Sequence, residues 1–162
     1  MHCFTAPRAL TLRGGRVIAR PYLPGLPLAP ATLEGAPGDE AGAQIAELAG
    51  SRSWRLAFDA SYDGALSVQI GSGSGLSITL EDGRLSVDLT GTRYPHGGRR
   101  VVTLEAGEAS RVEILHDRSI TEIYLGDGSC VFTTRSFLNG DGSGVTLTGA
   151  ASVTNVSAAR AD

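Results

Sequence analysis

From Ser53 onward the chain alternates apolar and polar residues with a period of two, and nothing else in the sequence restricts the fold as much. Trp54, Leu56 and Phe58 open the pattern; Leu66, Val68 and Ile70 follow, then Leu76, Ile78 and Leu80, then Leu85, Val87 and Leu89. Residues two apart share one face of a strand, so each run has an apolar face to bury. Turn chemistry separates the runs at Asp63-Gly64, Gly71-Ser72-Gly73, Asp82-Gly83 and Gly97-Gly98. Segments 101–104, 112–115, 119–125, 130–136, 145–148 and 152–156 continue the series. About ten short antiparallel strands of this kind need a second sheet over the apolar face. The expected fold is all-β, a two-sheet antiparallel β-sandwich of jelly-roll (concanavalin-like) type. No segment recurs at a fixed spacing, which argues against a solenoid or a propeller built from this chain alone.

Upstream of the alternation the pattern differs. Pro7, Pro21, Pro24, Pro27, Pro30 and Pro37 exclude a long helix or a central strand, so residues 1–37 read as an extended lead-in and 38–162 as the sandwich domain. Between Gly38 and Gly50, Ala41, Ile45 and Leu48 fall at i, i+4 and i+7 behind Asp39, a spacing that predicts one short helix.

Composition removes several functions. A net charge of −3 leaves no excess of cations for phosphates, so no nucleic-acid partner is expected. All 14 basic residues are Arg, a bias of GC-rich bacterial genomes. No run of 18 apolar residues exists, so no membrane span is expected, and residues 1–12 lack the apolar stretch of a secretory signal, which points to a bacterial cytoplasm. Cys3 and Cys130 are too few for a disulfide framework or a four-ligand zinc site.

The chemistry-bearing residues are sparse. Glycoside hydrolysis uses two carboxyl groups facing each other across roughly 5 to 9 Å. Asp117 and Glu122 are the most suggestive pair, but on one regular strand an odd spacing sends them to opposite faces. If Asp127-Gly128 is a two-residue turn, Glu122 faces Thr133, Tyr124 faces Val131 and Ile120 faces Arg135. Glu122 and Arg135 are then diagonal neighbours that read as a structural ion pair, whereas a three-residue loop breaks this register. His2, His96 and His116 sit in no nucleophile or metal motif, and Asn139, Asp141 and Ser143 lack the closing Glu of a calcium loop, so no metal or cofactor is expected. Asn155-Val156-Ser157 fits the glycosylation sequon, a pattern common by chance. Of the aromatic residues Tyr22, Trp54, Tyr62, Tyr94 and Tyr124, Trp54 and Tyr124 fall in strand patterns and read as core. Tyr94-Pro95-His96, in a glycine-flanked loop, is the exposed sugar-stacking candidate, with Tyr94 and His96 as its side chains.

Two segments resemble a known family. Residues 5–26, TAPRALTLRGGRVIARPYLPGL, are similar to the passage in glycoside hydrolase family 32 enzymes (invertases, levanases, inulinases, sucrose-6-phosphate hydrolases) where the chain leaves the catalytic propeller. Pro7, Arg8, Leu10, Gly15, Arg16, Arg20 and Pro21 match, with Ala9 in place of Glu and Val17 in place of Leu. Residues 112–137 resemble the hallmark of that family's C-terminal domain through Asp117, Arg118, Ser119, Glu122, Ile123, Asp127, Gly128, Thr133 and Arg135; Tyr124 replaces Phe and Gly126 replaces Asn.

The resemblance implies a sandwich that packs against a five-bladed propeller carrying the active site. The family's nucleophile, stabiliser and acid/base segments (Trp-x-Asn-Asp-Pro, Arg-Asp-Pro and Glu-Cys) do not occur here, so no catalytic residue is assigned. Its expected role is a non-catalytic C-terminal domain of a sucrose- or fructan-hydrolysing β-fructofuranosidase, with the propeller as partner and a homodimer as a further contact. The alternative is a module that binds fructan or a sucrose-type carbohydrate.

Overall fold

A computed structural model describes residues 4–71, 75–81, 83–105, 110–139 and 143–161, with nothing said of the Tyr62 side chain. The strands are β1 (Arg8–Arg13), β2 (Arg16–Pro21), β3 (Ala29–Pro30), β4 (Leu33–Glu34), β5 (Ala43–Ile45), β6 (Ser53–Ile70), β7 (Leu76–Glu81), β8 (Arg84–Asp88), β9 (Arg99–Thr103), β10 (Arg111–Asp117), β11 (Ile120–Leu125), β12 (Cys130–Arg135) and β13 (Val145–Arg160). β1 and β2 form a hairpin of their own, and the other eleven strands form one antiparallel sheet curled on itself.

Two long strands make that curl. The first half of β6 pairs with β10, the second half with β7, and β13 runs antiparallel beside nearly all of β6. One layer therefore reads β12-β11-β10 before entering this shared spine, and the other leaves it through β7, β8 and β9. The alternation lies at the positions the sequence marked. Trp54, Leu56, Phe58, Leu66, Val68 and Ile70 of β6 face Leu76, Ile78, Leu80, Leu85, Val87, Ile114 and Ile123 in one buried cluster. The all-β sandwich expectation is met.

Three local expectations are corrected. Asp63-Gly64 does not reverse the chain: β6 runs through it, and the register with β13 shifts between Gly149↔Leu66 and Ala151↔Tyr62, so the dipeptide forms a bulge. Second, residues 38–50 hold no α-helix but strand β5 and a single 3₁₀ turn, Ala46–Leu48. Gly42 sits at φ +69, and a Cβ there would lie 2.6 Å from the Leu147 carbonyl oxygen, so the close approach of this segment to β13 overrides the helical spacing. Asp39 closes a loop instead of a helix: its Oδ2 accepts from the Ala36 amide at 2.9 Å and its carbonyl accepts from the Gly42 amide at 2.9 Å. Third, the separate segments 145–148 and 152–156 belong to one strand, β13, whose last stretch is phase-shifted by an irregularity between Thr154 and Ser157, with Asn155 at φ +51. The shift turns Val156 and Ala158 toward the core after Val145, Leu147 and Val153 have used the odd positions.

In the proline-rich lead-in, Gly14 (φ +57) and Gly15 (φ +79) close the β1–β2 hairpin. Ala29 and Pro30 then pair with the end of β13, consistent with a proline on a short marginal strand. Among the described residues no helix is long and apolar enough to cross a membrane. Cys3, His2, Ser72, Gly73, Asp82 and Asp141 lie outside the described residues, as therefore does the middle of the calcium-like loop.

Candidate functional site

Arg8, Arg20, Glu122, Asp127, Gly128 and Thr133, all of which carry the family resemblance, meet at one seam, where the β1–β2 hairpin lies against β11 and β12. The β11–β12 ladder has the expected register, with Glu122 opposite Thr133, Tyr124 opposite Val131 and Ile120 opposite Arg135. It turns at Asp127 (φ +61) and Gly128 (φ +96), both left-handed, with the Ser129 amide donating to the Gly126 carbonyl. That is the primed turn whose twist suits a two-residue hairpin. Gly128 has a second constraint: a Cβ there would lie 2.1 Å from the Ala19 carbonyl oxygen, so the turn needs glycine for β2 to come this close.

Glu122 is the centre of the seam. Its side chain is 3% exposed, and its oxygens accept from the Ala6 amide (2.6 Å), an Arg8 guanidinium nitrogen (2.6 Å) and the Tyr124 hydroxyl (2.9 Å). Arg8 also donates to Thr133 Oγ1 at 2.9 Å and to the Tyr124 oxygen at 3.2 Å. Pro7, beside it, accepts from the Tyr22 amide through its carbonyl at 2.7 Å. The bond to Glu122 holds the Arg8 pKa above its ordinary value against the effect of burial. Burial, and then the bond to Glu122, push the Tyr124 hydroxyl up to about 12. Arg20 fastens the far end by donating to the Asp127 carbonyl at 2.9 Å and pairing with its carboxylate at 3.1 Å.

The expected Glu122–Arg135 ion pair is therefore overturned. Arg8, from a strand 114 residues earlier, takes the carboxylate, and Arg135 lies over the Phe137 ring at 4.8 Å. Tyr124 is buried, but on the face turned to the lead-in rather than in the central cluster. The separation of Asp117 from Glu122 also changes. Arg118 (φ +53) and Ser119 reverse the chain between β10 and β11, so Asp117 pairs with Ile120 and Leu115 with Glu122. The two carboxyls thus share a face instead of opposing each other.

Both line a cleft of about 570 Å³ between Phe4, Leu23 and Leu26 of the lead-in and the ends of β6 and β10. Its carboxyls are engaged: Asp117 accepts from Ser53 Oγ at 2.8 Å, and Glu122 is neutralised by Arg8. At the same end Trp54 and His116 stack with centroids 5.3 Å apart, and His116 Nδ1 bonds Thr121 Oγ1 at 2.9 Å. Burial pushes the His116 pKa down to about 4, partly opposed by Asp117. A histidine held neutral and a salt-bridged glutamate equip this cleft to hold the lead-in in place rather than to exchange protons.

Tyr94 and His96 lie far from the seam in sequence and are both exposed, as expected for a loop. Tyr94 meets Phe137 edge-on at 5.3 Å, with Arg93 5.6 Å from the Tyr94 ring centre. The sequence reading missed Phe137 as part of this corner. Among the described residues no group of three or more His, Cys, Asp or Glu is placed to hold a metal ion.

The family model for the glycosyl hydrolases family 32 C terminal matches residues 43–161. No curated protein matches the sequence. Among solved structures, sucrose-6-phosphate hydrolase from Lactobacillus gasseri superposes with a TM-score of 0.73 at 19% identity, over 94% of this chain and 33% of its own. The β-fructofuranosidase BmSUC1 of Bombyx mori does so with a TM-score of 0.64 at 22% identity, over 96% and 32%. The β-fructofuranosidase from Schwanniomyces occidentalis complexed with fructosyl-erythritol gives 0.74 at 12% identity, over 96% and 40%. In each, the part that resembles this chain is a minority of a longer one. With the family model covering residues 43–161, this chain belongs to the C-terminal domain family of the family 32 glycosyl hydrolases.

Proposed function

We propose that the chain is the non-catalytic sandwich of a sucrose- or fructan-cleaving β-fructofuranosidase, and that its β1–β2 hairpin is the face on which a propeller catalytic domain rests. The observation that carries this is the hairpin's outer face. Leu12 pairs with Val17 and Leu10 with Ala19, so these side chains share one side, and Leu10, Leu12 and Val17 are 69%, 73% and 60% exposed. Ile18, on the other side, is buried. A two-stranded ribbon is marginal alone in water. The Arg8–Glu122 and Arg20–Asp127 bonds hold this one against the sandwich and leave an apolar strip outward, as an interdomain contact requires. In this reading residues 1–37 supply the propeller-facing lead-in, with Ala29–Pro30 already paired to the sandwich.

The test is to purify the chain, assay fructose release from sucrose, inulin and levan, and titrate it with its cognate propeller. No release is expected, with saturable association that the Leu10→Asp/Leu12→Asp double variant abolishes. Fructose release by the pure chain, or association indifferent to that variant, overturns the reading. Self-association through the same strip would instead register as a concentration-dependent dimer in sedimentation.

We also propose that the sandwich binds fructan or a sucrose-type carbohydrate. Tyr94 and Phe137 support this by presenting exposed rings at one corner, near the exposed His96. Slower migration in gels containing inulin or levan is the supporting result; unchanged migration in both leaves the propeller-buttress role alone.

A further inference from the structure

The outer face of the second layer is unusual for a solvent-facing sheet. Register places Thr148, Ser67, Thr79, Ser86 and Val101 side by side across β13, β6, β7, β8 and β9. Four of these five are short hydroxyl side chains where long charged ones commonly cover such a face. Their shortness leaves a hollow of about 220 Å³ lined by Thr79, Glu81, Arg84, Ser86, Arg99 and Val101.

The hollow is a built site. Ser86 is 7% exposed at its floor, and Arg99 Nε donates to its hydroxyl at 2.6 Å, which fixes the guanidinium across one wall. Ser67 and Thr79 share a hydrogen bond of 3.1 Å, so the floor is ordered from both sides. Glu81 and Arg84 stand opposite each other where β7 meets β8, yet among the described residues neither side chain forms a hydrogen bond or an ion pair. One carboxylate and one guanidinium are thus left for a ligand at the rim.

We propose that this hollow is a subsite for one neutral sugar ring of a carbohydrate. The inference rests on the carbohydrate-binding reading above and gives it a different place from the Tyr94 corner. A sugar ring offers adjacent hydroxyls that are each donor and acceptor. A carboxylate takes protons from two of them, a planar guanidinium gives two N–H groups back, and serine and threonine hydroxyls bond in either sense. The Val101 methyls supply an apolar patch for the C–H face of the ring. Glu81 needs a ligand that donates hydrogen bonds, which the hydroxyls of a sugar do and the ionised oxygens of a phosphate ester do not.

Affinity electrophoresis of the chain in inulin and in levan, with free fructose and inorganic phosphate as competitors, tests this. The Glu81→Gln and Arg84→Ala variants change exposed side chains, and Trp54 emission verifies that each remains folded. Binding that weakens about tenfold in both variants and persists in Tyr94→Ala supports the subsite. Binding that survives both variants and is lost in Tyr94→Ala overturns it while leaving carbohydrate binding intact. Displacement by phosphate overturns the neutral-sugar assignment. Absence of retardation in either polymer overturns the carbohydrate-binding reading and the subsite with it.

Discussion

Replacing Arg8 with methionine removes the charge that answers a buried carboxylate while keeping most of the stem's volume. In the native seam Glu122 has three donors, from Ala6, Arg8 and Tyr124, and only the second carries a charge. Removing one partner of a buried pair costs about 3–5 kcal/mol, because the remaining ion stays desolvated. The Arg8 side chain is 28% exposed, so water replaces part of its interaction and the lower figure of about 2–3 kcal/mol applies. For a chain of this size that is a fall in Tm of roughly 4–12 °C. Glu122→Gln, which keeps an acceptor for the Ala6 amide and removes the charge, should cost less, and the double variant should cost less than the sum, with a coupling of about 1–2 kcal/mol. Urea unfolding followed through the single tryptophan, Trp54, which is fully buried, reads the loss directly. Trypsin adds a local readout, since Arg13 and Arg16 lie in the hairpin that the pair fastens. Cleavage there should accelerate in Arg8→Met before global unfolding does. A variant with unchanged midpoint and unchanged cleavage rate would refute the account of Glu122 as the anchor of the lead-in.

Three further outcomes are expected of the same fold. His116 is held neutral with its pKa pushed down from 6.5 to about 4, so the unfolded chain binds the extra proton first. Stability is therefore full above pH 6.5 and falls by about 3 kcal/mol as the pH drops to 4, a slope in urea midpoints that His116→Gln should flatten. Gly128→Ala forces a side chain into φ +96 and against the Ala19 carbonyl; a loss of about 2 kcal/mol or more is expected in chemical denaturation. Leu10→Asp/Leu12→Asp should leave the Tm of the isolated chain within about 1 °C, because both side chains are already in water.

What was legible in the sequence was local. The β11–β12 register followed from Asp127-Gly128 and the alternation beside it, because a two-residue primed turn fixes every pair upstream. Glu122 was singled out for an ion pair, but with the wrong partner, since Arg8 comes from the other end of the chain and no periodicity reports a contact across 114 residues. The helix expected over 38–50 failed for a similar reason: Gly42 had its own long-range demand, contact with β13, which outweighed the spacing of Ala41, Ile45 and Leu48. Asp63-Gly64 has turn chemistry, yet it became a bulge because β13 supplies a continuous partner on one side. The hollow on β7, β8 and β9 was invisible because it is assembled from two residues on each of three strands.

The pairing of β6 with β13 has a consequence for synthesis. β13 (Val145–Arg160) borders nearly the whole of β6, which belongs to both layers. Neither layer can close while that strand is still inside the ribosome, since its partner edge on β6 would stay open. Domain folding is thereby tied to the emergence of β13. A product truncated before Val145 forfeits the partner of both halves of β6 rather than a peripheral strand, and presents an unpaired edge to the cell's quality control.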